Sequence, residues 1–203
     1  MLNKKTKIAV FVSGGGTNLQ AILESEKRGE IPSGEITLVL SNNKDAYALK
    51  RAKNFGVKAV LVDKTVYNTI EKREQKMVEI LKENQIELIV LAGYLSILSE
   101  NFTRLYAGRI INVHPSLIPS FCGKGYYGLK VHEEALKYGV KVTGATVHFV
   151  NEIPDGGEII AQKAVEILQG DTPEVLQQRV MREAEWIILP KAVEEVSKKL
   201  KNN

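Results

Sequence analysis

Short apolar runs rich in β-branched residues alternate along this chain with stretches whose apolar positions recur every three to four residues. Residues 7–12 (KIAVFV) form the first run, and Leu19, Ile22 and Leu23 then share one face at i, i+3, i+4, the spacing of a half-buried helix. Residues 36–40 (ITLVL) predict a second strand, residues 45–55 a helix closed by Gly56, and residues 57–62 a third strand. A long helix is expected over 68–84, with Ile70, Met77, Ile80 and Leu81 as its apolar face. Residues 86–91 (IELIVL) are almost wholly apolar, as a parallel strand covered on both faces should be. Residues 109–114 read as a further strand, stopped by Pro115.

The pattern changes in the last third. A loop rich in Gly, Pro and Tyr (115–128) leads to a helix near 130–137, and residues 145–150 and 158–165 read as paired strands around the turn Ile153-Pro-Asp-Gly-Gly. Asp171-Thr-Pro-Glu is a helix start, with a capping side chain and proline in the first turn. That helix should turn Leu176, Val180, Ala184 and Ile187 inward and be kinked or broken at Pro190. The alternation predicts an α/β fold, a Rossmann-like doubly wound sheet. The sheet should be mostly parallel, with helices on both faces and an antiparallel C-terminal portion. With no internal repeat or linker, residues 1–203 are expected to form one domain.

Composition narrows the classes. Hydrophobic residues at 44% and charged residues at 26% fit a globular protein. No apolar run approaches the ~20 residues of a membrane span, and the basic N-terminus lacks the h-region of a secretory signal. A single cysteine, Cys122, makes no internal disulfide, which fits a cytoplasmic protein. The net charge of +4 is spread among acids rather than gathered in a basic stripe, so neither nucleic acid nor membrane is expected as a partner. The histidines and the cysteine match no metal spacing, and no metal is expected.

Two segments carry candidate chemistry. Strand, then Ser13-Gly-Gly-Gly-Thr-Asn18, then helix offers backbone N–H groups and a helix N-terminus to an anion, with Thr17 and Asn18 as further donors. It matches neither the dinucleotide fingerprint nor the Walker loop, since it lacks the third glycine and the lysine. In Asn112-Val-His114-Pro, period-two alternation puts the amide and the imidazole on one side at a strand's carboxyl end, where open α/β sheets bind ligands. An amide donor and an imidazole suit an acyl-type transfer that develops an oxyanion and needs a proton delivered. Asp155, in a glycine turn able to fold back, is the candidate carboxylate partner, and its charge should raise the pKa of His114. His132 and His148 read as locally satisfied structural residues.

The segments Ser13–Gln20, Leu91–Leu98, Ile111–Pro119, Thr143–Val150 and Asp155-Gly-Gly, in that order, resemble the folate-dependent phosphoribosylglycinamide formyltransferase family over nearly the whole chain. The resemblance implies that Asn112, His114 and Asp155 are catalytic. It implies that Gly16, Thr17 and Asn18 bind a substrate phosphate and that Glu185 contacts the ribose. It further implies that Leu95, Ser96, Ile97, Leu98, Asn112, Asn151, Glu152, Ile153 and Pro154 line the folate pocket. The phosphate-binding half would span about 1–100 and the catalytic, folate-binding half about 100–203. The implied substrates are phosphoribosylglycinamide and 10-formyltetrahydrofolate, in purine synthesis, by a monomer or homodimer. Related deformylases and the tRNA-directed formyltransferases bring an additional domain for which this chain has no room. Family members often carry arginines in the segments matching Ile70 and Ser96; here neither is arginine, and Lys72 or Arg73 is the candidate substitute. The segment Phe121–Gly128 is also longer than in shorter members.

Overall fold

The computed structural model describes residues 4–202; residues 1–3 and 203 of the expected domain lie outside the described residues. Seven strands form one sheet in the order β3-β2-β1-β4-β5-β6-β7. The strands are β1 (Thr6–Val12), β2 (Gly34–Ser41), β3 (Lys58–Leu61), β4 (Leu88–Leu91), β5 (Ile110–His114), β6 (Val142–Phe149) and β7 (Ile159–Glu166). The first five run parallel, while β6 pairs antiparallel with both β5 and β7. The expected mixed α/β sheet is therefore what the chain forms.

Helices α1 (Thr17–Lys27), α2 (Tyr47–Asn54), α3 (Ile70–Glu83), α4 (Glu100–Leu105), α5 (Leu129–Tyr138), α6 (Pro173–Val180) and α7 (Trp186–Lys201) complete the fold. Alternation along β1 divides the core. Ile8, Val10 and Val12 pack with Leu19, Ile22, Leu23 and the α7 residues Leu189 and Val193. Ala9 and Phe11 face the opposite side, with Met77, Ile80 and Leu81 of α3. Both faces are covered, which is why these strands read as unbroken apolar runs.

The chain winds outward from β1 to β3, then returns to place β4 on the other side of β1. That reversal opens a crevice beyond the carboxyl ends of β1 and β4, with the glycine loop on one side and the segment after β4 on the other.

The C-terminal helix is not broken at Pro190 but runs through it, and the expected inward Ile187 is 37% exposed while Ile188 and Leu189 are buried. A π-helical turn, Met181–Glu185, joins α6 to α7, and the Trp186 N–H reaches back to Met181 O. The widened turn inserts one residue into the helical repeat, which moves the inward face from 187 to 188. It also changes the hydrogen-bond register just before a residue that has no N–H to give. The helix α4 is an element the periodicity did not predict. It is six residues long and is capped by Ser99, whose hydroxyl accepts from the Phe102 N–H.

Candidate active site

The crevice holds a cleft of about 620 Å³, within the usual range for small-molecule sites. All the residues singled out from sequence except Gly16 line it. They arrive there from the glycine loop, the segment after β4, the end of β5, the turn after β6 and the π-helical turn.

The glycine loop is held from outside by its carbonyls. Ser13 O accepts from Asn43 Nδ2 (3.1 Å), Gly14 O from the Ala48 N–H (3.1 Å) and Gly15 O from Arg51 Nε (2.8 Å). The N–H groups of residues 14–19 meet no protein acceptor among the described residues, so a row of donors and the α1 N-terminus remain open to an anion. Gly16 has φ +74°, and a Cβ there would lie 2.6 Å from the Ala48 Cβ; both the conformation and the close helix approach require glycine. Beside the loop, Asn18 Nδ2 donates to Glu185 at 2.6 Å. Burial pushes the Glu185 carboxyl up to about 7, opposed by that hydrogen bond. Glu185 closes the π-helical turn, and such turns recur at functional sites.

At the carboxyl end of β5, Asn112 and His114 lie together with Asp155. Asp155 Oδ2 is 3.5 Å from His114 Nδ1, and Oδ1 is 3.4 Å from the Asn112 amide nitrogen. Asp155 adopts φ +56°, a conformation aspartate tolerates better than most residues. At Gly157 a Cβ would fall 1.8 Å from the Phe149 carbonyl oxygen, so glycine lets the turn fold back onto β6. The Gly123 N–H donates to Asp155 Oδ2 at 2.8 Å, which fastens the long Phe121–Gly128 segment to the same carboxylate.

The backbone also sets the tautomers. His114 Nε2 lies 2.8 Å from the Phe121 carbonyl oxygen, an acceptor only, so Nε2 carries a proton and Nδ1, facing Asp155, is the titrating atom. Burial lowers the His114 pKa below its ordinary value, and the Asp155 charge and Phe121 carbonyl oppose without overcoming it. The expected upward shift is thus reversed by desolvation. Burial pushes the Asp155 carboxyl up, but His148, His114 and the Gly123 N–H outweigh it, leaving the pKa below the ordinary carboxylate value.

His148 belongs to this cluster, which sequence reasoning missed. Its Nδ1 donates to the Phe149 carbonyl (2.8 Å), and its Nε2 lies 3.2 Å from the Asn112 amide nitrogen and 3.5 Å from Asp155 Oδ1. Only the antiparallel pairing, with Asn112 opposite His148, reveals the contact. His132 also lines the cleft, and it is buried.

The remaining wall is apolar and open. Leu95, Ile97 and Ile153 are 64%, 63% and 58% exposed there, alongside Leu98, Asn151, Glu152 and Pro154. Apolar side chains this exposed in a cleft give it an apolar surface of the kind that marks binding sites. Ser96 accepts from Asn42 Nδ2 (2.7 Å), Ile70 is exposed, and Arg73 donates to the Tyr67 carbonyl (3.1 Å).

Residues 6–193 match the family model described as formyl transferase. The phosphoribosylglycinamide formyltransferase of Haemophilus influenzae is 43% identical, over 91% of this chain and 84% of its own length. The chloroplastic phosphoribosylglycinamide formyltransferase of Arabidopsis thaliana is 38% identical over 89% of this chain; the match spans 62% of that longer protein, about three-fifths of its length. The crystal structure of glycinamide ribonucleotide transformylase 1 from Symbiobacterium toebii superposes with a TM-score of 0.89 at 39% identity, covering 96% of this chain and 89% of that one.

Proposed function

The chain belongs to the formyl transferase family, and from that premise we propose that it transfers the formyl group of 10-formyltetrahydrofolate to the amine of 5-phosphoribosylglycinamide, in purine synthesis. The proposal covers one domain acting in the cytoplasm on two small molecules. One observation carries it: the Asp155 carboxylate reaches both His114 and Asn112 in a cleft that also holds an open row of backbone donors beside Glu185.

In the reaction the substrate amine attacks the formyl carbon, a C–N bond forms as the bond to folate N10 breaks, and one proton passes from the amine to N10. Asn112 supplies a hydrogen bond to the oxygen that becomes an oxyanion, and His114 joins it by exchanging its Nε2–H bond to the Phe121 carbonyl for that oxygen. The 3.4 Å contact from Asn112 to Asp155 is long, and so readily exchanged for that stronger acceptor. Asp155 stabilises a proton on His114 Nδ1, and a proton held there can be delivered. His148, 3.2 Å from the Asn112 amide nitrogen, orients that amide. The glycine loop with Gly16, Thr17 and Asn18 receives the phosphate, and Glu185 receives the ribose. Leu95 to Leu98 and Asn151 to Pro154 embrace the folate rings.

Incubating the protein with the ribotide and formyl-folate should yield formylated ribotide in proportion to deformylated folate. Formate release that does not require ribotide, with no ribotide product, overturns the proposal in favour of hydrolysis.

A further inference from the structure

We propose that His132 is a contact for the ribotide substrate, an imidazole left without a protein partner so that a hydroxyl or amide of that substrate takes it up. The inference rests on the function proposed above.

On α5, Val131, His132 and Ala135 are buried together, His132 at 1% exposure. Neither of its ring nitrogens has a hydrogen-bond partner among the described residues. A buried polar group left unsatisfied costs roughly 1–3 kcal/mol, and a leucine or phenylalanine at this place would avoid the cost. The histidine therefore answers to something the fold itself does not contain. It borders the cleft, so a ligand there can reach it.

Its neighbours select which ligand. Helix α5 packs against α6, and α6 with the π-helical turn supplies Gln177, Met181 and Glu185 to the cleft. Met181 accepts from Thr17 Oγ1 (3.5 Å) and Glu185 from Asn18, so this wall is continuous with the phosphate loop. The wall assigned to folate comes instead from the loops after β4 and β6. Burial pulls the His132 pKa down to about 4, with repulsion from His114 in the same direction. At neutral pH the ring is uncharged, one nitrogen a donor and the other an acceptor, which matches a hydroxyl or amide rather than a bare anion.

The test is calorimetric binding of ribotide without folate, together with steady-state kinetics, for the wild type, His132→Phe and His132→Gln. The phenylalanine variant should melt no lower than the wild type and bind ribotide about tenfold or more weakly, with the KM for formyl-folate within about twofold. The glutamine variant, which keeps a donor and an acceptor, should fall between the two, and decides the matter alone if the phenylalanine variant misfolds. Ribotide affinity within twofold of the wild type in the phenylalanine variant, or in the glutamine variant where the phenylalanine variant misfolds, overturns the inference and leaves the functional reading standing. A wild type that binds no ribotide overturns both.

Discussion

Asn18 and Glu185 share a 2.6 Å hydrogen bond that ties the first turn of α1 to the π-helical turn ahead of α7. The bond joins the glycine loop to a carboxyl whose pKa burial raises to about 7. Such a group can accept hydrogen bonds from ligand hydroxyls and, once ionised, strengthens them.

Stability should record that protonation. The folded pKa of Glu185 is raised from 4.5 to about 7, so the folded protein holds a proton the unfolded chain releases between those values. Its contribution is complete below about pH 4.5 and is lost as pH rises through 7. At about 1.4 kcal/mol per unit, the loss is on the order of 3 kcal/mol. His114 slopes the opposite way, since its lowered pKa costs stability in acid. Subtraction isolates Glu185: urea midpoints from pH 5 to 8.5 should show Glu185→Gln gaining on the wild type as pH rises. A constant difference would mean the carboxyl is ionised throughout.

Asp155→Asn removes the charge facing His114 Nδ1 and should lower kcat by about 10²–10³, the usual cost of losing a transition-state partner worth some 2.7–4 kcal/mol. Asn112→Ala should cost as much. Both should leave the ribotide KM within a few-fold, because the phosphate is assigned to the other side of the cleft. Steady-state kinetics on folded variants tests this; a near wild-type kcat for Asp155→Asn removes the carboxylate from the chemistry.

Gly16→Ala should destabilise the protein by about 1–3 kcal/mol, combining the strain of a non-glycine residue in the left-handed region with a clash against Ala48. Gly14→Ala meets open space and should leave the melting temperature nearly unchanged while weakening binding of phosphate-bearing ligands. Thermal melts with and without inorganic phosphate separate the two; equal stabilisation by phosphate in Gly14→Ala and the wild type would argue against the loop as the anion site.

Much of this was legible in the chain because local rules governed it. The apolar runs of β1 and β4, the glycines after β1 and the pair Asn112 and His114 follow from period and position alone. What escaped depends on distant partners. His148 gains its meaning only from lying opposite Asn112 across an antiparallel pair. The direction of the His114 shift required knowing how deeply it is buried. The helix α4 offers too few turns for a period to register. The orphaned nitrogens of His132 are visible only once every neighbour is in place.

The π-helical turn supplies the sharpest contrast between pattern and structure. An unbroken α-helical period assigns Ile187 to the core, whereas the inserted residue turns it outward and buries Ile188 at 7% exposure among the α7 contacts. Deleting the side chain of a buried isoleucine costs roughly 2–5 kcal/mol, while an exposed position usually changes stability by about 0.5 kcal/mol or less. Ile188→Ala should therefore lose at least about 1.5 kcal/mol more than Ile187→Ala in chemical denaturation. The reverse order would restore the regular helix and would move Glu185, three residues before Ile188, out of register with Asn18.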